Sequence, residues 1–123
     1  TTGSDGASGD HVVNLPFVVL CNENTASAGE IFTAALRDYD EEGLLRATIV
    51  GTRTFAKGIM QSTVYYLDQS SITLTVAYYD PPSGVNYHGT GVTPDVVVEN
   101  TDSTVDLQLE AGYSEMLKLL GAN

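Results

Sequence analysis

Apolar and polar positions change period several times along this 123-residue chain. Residues 1–10, TTGSDGASGD, hold almost nothing to bury, and 1–13 reads as a flexible lead-in to a single folded unit over 14–123. PFVVLC, at 16–21, is a short continuous apolar run, as expected of a strand covered on both faces. The period then lengthens. Ala28, Ile31, Phe32, Ala35, Leu36 and Tyr39 fall on one helical face and predict a helix over 26–39. DYDEEG ends it, with Gly43 able to take a left-handed backbone. RATIVG returns to strand and TRTFAKG to loop. IMQSTVYYL and SITLTVAYY, β-branched and aromatic, joined by DQSS, predict an antiparallel hairpin. In the second strand Ile72, Leu74 and Val76 share a face. DPPSGVNYHGTGVTP holds three of the four prolines and must be a loop, and a long loop is more often functional than idle. DVVVEN predicts a last short strand. VDLQLEAGYSEMLKLLG predicts a closing helix with Leu109, Met116, Leu117 and Leu120 among its apolar positions. The order strand, helix, strand, hairpin, strand, helix is α/β with a mixed sheet.

Composition narrows the function. A net charge of −11 repels phosphates and anionic lipid, which argues against nucleic acid and membrane surfaces as partners. The chain is long enough for one domain with a real core. No apolar run approaches the ~18 residues of a membrane span. Thr1 is not an initiator Met, which suggests an excised piece. Cys21, the single cysteine, has no internal disulfide partner and reads as a packed thiol inside PFVVLC. No Cys/His cluster has metal-ligand spacing, and no Gly-rich phosphate cradle occurs, so neither metal nor nucleotide is implied.

NENTASAGEIF, at 22–32, raises the chemical question. Ser27-Ala28-Gly29-Glu30 fits the capping box S-x-x-E, in which the serine satisfies a helix N–H and the glutamate reaches back. The same place suits a nucleophile, because unpaired N–H groups at a helix start can hold an oxyanion. Ala26, Ala28 and Gly29 leave room for a carbonyl to approach. A serine nucleophile needs a base. His88 with Asp80 or Asp95 is one conceivable source, without spacing to support it, and His11 lies at the edge of the lead-in. Lys57, in TFAKGIMQ, is the other. Acting as a base requires a neutral amine, a change of about 4 kcal/mol from the ordinary state, which desolvation can supply away from carboxylates. An ordinary solvated lysine is the plain alternative.

Taken together, LPFVVLCNENTASAGEIFTAAL, RATIVGTRTFAKGIMQ and LTVAYYDPPSGVNYHGTGVTPDVVVE resemble the C-terminal processing (tail-specific) serine peptidases, from about Leu15 to Leu120. The resemblance implies a crotonase-like αβ core. It implies a serine endopeptidase with Ser27 as nucleophile and Lys57 as base. Gln61 would orient Lys57, and the Ala28 N–H would be one oxyanion donor. It also implies protein or peptide substrates, no cofactor and a site of action outside the cytoplasm. If strand pairing starts near Ile59, Lys57 and Gln61 fall on one face of an extended segment.

Three departures from the family pattern stand out. Ala56 replaces the glycine before the lysine, so a backbone needing positive φ there would be strained. RDYDEEGLLRA adds roughly five residues between serine and lysine, where a loop insertion costs little. The upstream half of the core, with its second oxyanion donor, and the PDZ module are missing, so the fragment alone is expected to be weak or inactive. A dimer, or the rest of the parent chain, would complete it. The rival is a non-catalytic ligand-binding or structural module of the same fold, in which Ser27 only caps.

Overall fold

The computed structural model describes residues 14–121. The expected lead-in, 1–13, lies outside them. Strand β1 (Phe17–Cys21), helix α1 (Ala28–Glu41) and strand β2 (Ala47–Gly51) form a βαβ unit in which β1 and β2 pair in parallel, from Phe17↔Ala47 to Cys21↔Gly51. Strands β3 (Ile59–Tyr65) and β4 (Ser71–Tyr78) follow, then β5 (Val96–Val97) and helix α2 (Leu107–Leu119). β5 joins the far side of β2, giving the order β1-β2-β5, while β3 and β4 form their own antiparallel pair. The α/β reading holds, with parallel and antiparallel pairings in two separate sheets.

β2 is central, and Ala47, Ile49, Val50 and Gly51 are all buried. β5 is shorter than DVVVEN suggested. Its partner β2 stops at Gly51, opposite Val97, so the ladder runs out there. At the start of β5, the Asp95 N–H donates to the Ile49 carbonyl (2.8 Å) while its Oδ2 accepts the Ile49 N–H (2.7 Å). A side-chain oxygen thus stands in for a strand carbonyl, and ladder pairing starts only afterwards. α2 is capped by Asp106, which accepts the Leu109 N–H at 3.0 Å. It lies so close to β1 that a Cβ at Gly112 would sit 2.9 Å from Leu20 Cδ2.

α1 ends as the sequence suggests. Gly43 takes φ +75°, its N–H donates to Asp40 O and the Leu44 N–H donates to Tyr39 O, both at 2.9 Å, a Schellman motif. Its buried face, however, is not the apolar one that the periodicity picks out. Glu30, Thr33 and Asp38 are buried with Ala34 and Leu36, while Phe32 is 57% exposed. The reason is that α1 packs on irregular backbone as well as on a sheet, and irregular backbone offers donors that buried acids can accept. Asp38 accepts the Ser83 N–H (3.0 Å) and two bonds from Arg37 (3.1 and 2.9 Å). Burial alone would raise this carboxyl, but the Ser83 and Arg37 contacts outweigh it and hold it below the usual range. The apolar contact is small: Ala34, Tyr87 and Val92, with Ile31 beside them.

The β3–β4 hairpin forms as expected, but its apolar face is bare. Val64 opposes Ile72, and Ser62 opposes Leu74. Val64, Ile72 and Leu74 are 49%, 41% and 51% exposed. The register shifts between Met60 and Gln61, leaving Val76 as the extra residue on β4 and interrupting the Ile72-Leu74-Val76 alternation.

Gly51 ends β2 at φ +134°, where a Cβ would lie 1.9 Å from the Cys21 carbonyl oxygen. Gly51→Ala therefore costs about 3 kcal/mol or more, read as a lowered urea midpoint. A midpoint equal to the parent's would show that β1 and β2 do not approach this closely.

Candidate active site

Ser27 sits at the mouth of α1 with φ 51° and ψ −113°, a conformation that non-glycine residues rarely hold. Such strain amounts to about 1–3 kcal/mol and persists only where neighbours over-determine it. Part of that over-determination comes from Glu30. The Ser27 N–H donates to Glu30 Oε2 at 3.1 Å, the glutamate half of a capping box. The segment has the outline of the full box, yet the serine hydroxyl makes no cap hydrogen bond. The Glu30 N–H goes to the Ser27 carbonyl at 3.0 Å. The hydroxyl is left half-buried at the helix mouth.

Glu30 itself is fully buried and accepts four hydrogen bonds. Oε1 takes the Thr54 hydroxyl at 2.5 Å and the Ala56 N–H at 2.6 Å. Oε2 takes the Lys57 N–H at 2.8 Å besides that of Ser27. One oxygen is therefore shared by the backbones of Ser27 and Lys57, which cannot lie further apart than two hydrogen bonds laid end to end. Thr54 extends the network: its hydroxyl also accepts the Val92 N–H at 2.8 Å. Tyr87 backs the cluster. Its hydroxyl is buried with no side-chain or backbone partner among the described residues. Burial first, then the charges of Glu30 and Tyr79, push that phenol up to about 12.

Lys57 is half-buried and forms no ion pair among the described residues. The requirement that it stand clear of carboxylates is met at its amine but not at its backbone, which is bonded to one. Ala56 has φ +78°, so the methyl does occupy a left-handed position. The Glu30 bond to its N–H and the Gly89 N–H donated to its carbonyl (3.0 Å) pin it there. β3 begins at Ile59, as supposed for the Lys57–Gln61 spacing, but Gln61 is exposed and lies at the register shift. No side-chain hydrogen bond joins Ser27, Lys57 and Gln61 among the described residues. Ala28 is exposed at the first turn, and its N–H donates to no protein acceptor among them. That leaves the donor free to face a substrate oxygen.

The histidine alternative has no such support. In a Ser-His-Asp set the imidazole Nδ1–H donates to the acid. Here His88 Nδ1 accepts the Gly58 N–H at 3.3 Å. Asp95 is bonded to Ile49, and Asp80 accepts from Asn86 (3.2 Å). His11 lies outside the described residues. Cys21 is a packed thiol, as read: it is buried, donates to Thr52 O (3.3 Å), and is pushed up to about 11 by burial and then by the charge of Asp95. A polar groove of about 620 Å³ at the carboxyl ends of the parallel strands, lined by Asn22, Thr52, Arg53 and Gln108 among others, includes neither Ser27 nor Lys57.

The sequence model of peptidase family S41 matches residues 2–98. The chain belongs to that family. Among curated relatives, a carboxyl-terminal-processing protease of Synechocystis is 43% identical over 99 residues, 80% of this chain and 22% of that protein. A chloroplastic C-terminal processing peptidase of Tetradesmus obliquus is 41% identical over 105 residues, 85% of this chain and 21% of that protein. The chain thus spans about a fifth of the length of these relatives. Among solved structures, a photosystem II D1 C-terminal processing protease superposes with a TM-score of 0.58 at 41% identity, over 77% of this chain and 23% of that one. Family membership and this superposition agree with the α/β core read from the sequence.

Glu30 is the residue of the candidate site that sequence reasoning undervalued. Its S-x-x-E spacing announced a contact with Ser27, but nothing local announced the contacts with Ala56 and Lys57 across 26 and 27 positions. Two outcomes follow. Glu30→Gln, which sets an amide against N–H donors, lowers unfolding stability by about 2–3 kcal/mol; a change under about 0.5 kcal/mol would mean the four bonds are not held in solution. Ser27→Gly relieves the strained backbone and raises the thermal midpoint, by about 1 kcal/mol of stability, whereas Ser27→Ala does not. Equal midpoints for the two variants would count against strain at Ser27.

Proposed function

We propose that this chain carries the nucleophile and the base of a serine endopeptidase that cuts proteins near their C-termini. Ser27 Oγ attacks the scissile carbonyl. Lys57 Nζ takes the hydroxyl proton and returns it to the leaving amine, and water then releases the acyl group by the same route. The Ala28 N–H at the α1 mouth faces the developing oxyanion, and Gln61 orients the amine. The observation that carries this reading is the shared Glu30 oxygen. It holds the strained serine and the backbone of Lys57 in one place, leaves the serine hydroxyl uncapped and leaves the lysine amine without an ion pair.

The relatives of known name, all much longer than this chain, support placing it within a larger enzyme. In this proposal the parent protein, or a second copy, supplies the second oxyanion donor, and a PDZ module presents the substrate terminus. The 123 residues alone then turn over weakly or not at all. Action outside the cytoplasm, in an envelope or lumen, accords with the chloroplastic name of one relative.

The test uses the full-length protein that carries this chain. It labels with a serine-directed fluorophosphonate, and Ser27→Ala removes the label. Lys57→Ala abolishes cleavage of a peptide substrate while leaving the thermal midpoint unchanged or higher, since a partly buried amine is removed. Because a lysine base works only when neutral, kcat/KM of the parent rises with pH to a plateau. Undiminished turnover by Lys57→Ala would remove the lysine mechanism. A folded parent that never takes the label would favour the non-catalytic binding module.

A further inference from the structure

The loop that carries Lys57 is held from two sides, and only one side is Glu30. Three consecutive N–H groups, those of Ala56, Lys57 and Gly58, each meet an acceptor. Glu30 takes the first two. The third goes to His88 Nδ1 at 3.3 Å. The backbone of His88 is fixed on both flanks. Its own N–H donates to Asn86 Oδ1 at 2.7 Å, and the next residue, Gly89, donates to the Ala56 carbonyl at 3.0 Å. The loops are in close contact as well: a Cβ at Gly58 would lie 3.1 Å from His88 N and 3.2 Å from His88 Cβ. On its other side the imidazole meets the Tyr78 ring edge-on, with centroids 6.1 Å apart.

An imidazole that accepts through Nδ1 must be neutral and carry its proton on Nε2. His88 is exposed, so protons reach it from solvent. Protonation fills the Nδ1 lone pair, sets two N–H groups against each other and adds a positive charge one residue from Lys57. Of the titratable groups, Tyr78 on β4 meets the ring; Lys57 precedes Gly58 in the chain, and Tyr79 and Asp80 are reached through the Asn86 side-chain amide. Glu30 lies across the loop. The Asp80 carboxylate is engaged by Asn86 and donates nothing that could replace the lost contact.

We propose that His88 is a positioning residue for Lys57, acting through the Gly58 N–H, and that protonation of its ring withdraws this support. The kinetic part rests on the reading of Lys57 as base; the structural part does not. Acidification then acts twice on catalysis. It protonates the base, and separately it loosens the segment that holds the base, so log kcat/KM falls more steeply than one proton allows.

The test uses the full-length protein with ¹⁵N-glycine. The Gly58 amide resonance should move with pH at the same midpoint as the His88 ring protons. In His88→Asn, whose Oδ1 can accept from the same place without titrating, that movement should vanish and the acid limb of kcat/KM should lose an extra fall of about tenfold. His88→Leu, with no acceptor, should lower kcat about tenfold with little change in KM, and His88→Asn should recover most of it. A Gly58 resonance that stays still while the His88 ring titrates would overturn the proposal, as would a wild-type acid limb in His88→Asn. If His88→Leu does not fold, the wild-type titration decides alone. Should Lys57→Ala remain active, the base assignment falls, but the Gly58 titration still reports on His88.

Discussion

A buried carboxylate accepting three backbone N–H groups and one hydroxyl governs this structure. Burying Glu30 without partners would cost several kcal/mol, so the fold must bring it donors. It does so from the helix mouth (Ser27) and from the loop beyond β2 (Thr54, Ala56, Lys57). Removing that carboxylate would leave the Phe55 N–H to Thr25 carbonyl bond (2.9 Å) to join the two segments here, and would leave the N–H groups of Ser27, Ala56 and Lys57 without their acceptor.

The same constraint explains features that otherwise look like defects. Ser27 and Ala56 both hold positive φ without being glycine, and both have their N–H bound to Glu30. The strain lies where the clamp acts, the pattern expected where backbone must be set for chemistry and not for comfort. α1 buries acids and leaves Phe32 exposed for a related reason. Its inward face serves loop backbone, and loop backbone is polar.

Element types and order were legible in the sequence, because periods of two and 3.6 survive in single segments. The hairpin, the Gly43 stop and the βαβ unit all follow from local signals. What was not legible depended on distance. The length of β5 turned on where its partner β2 stops, at Gly51 opposite Val97. The inward face of α1 turned on which residues of distant loops arrive there. The hairpin alternation was interrupted by a register shift that no composition rule announces. In the site, Ser27 and its helix mouth could be found from small residues and S-x-x-E, and Ala56 was marked as a strained position by standing where the resembled family has glycine. Lys57 was one candidate base beside His88 and His11 until the resemblance singled it out. Glu30 was visible as a cap and invisible as a clamp, since periodicity says nothing of contacts spanning 27 positions.

Three of the four contacts that Glu30 makes are to main-chain N–H groups, and those three are blind to side chains. Every residue except proline brings the N–H that the carboxylate needs at 56 and 57. Position 56 can therefore change without dismantling the hold on Lys57, within the limits that its left-handed backbone sets. An alanine at a left-handed position is one such change. The freedom is one-sided: at position 30 itself, a side chain shorter by one methylene would have to reach four donors with less length. A change at position 56 can leave the hold intact, whereas a change at position 30 cannot.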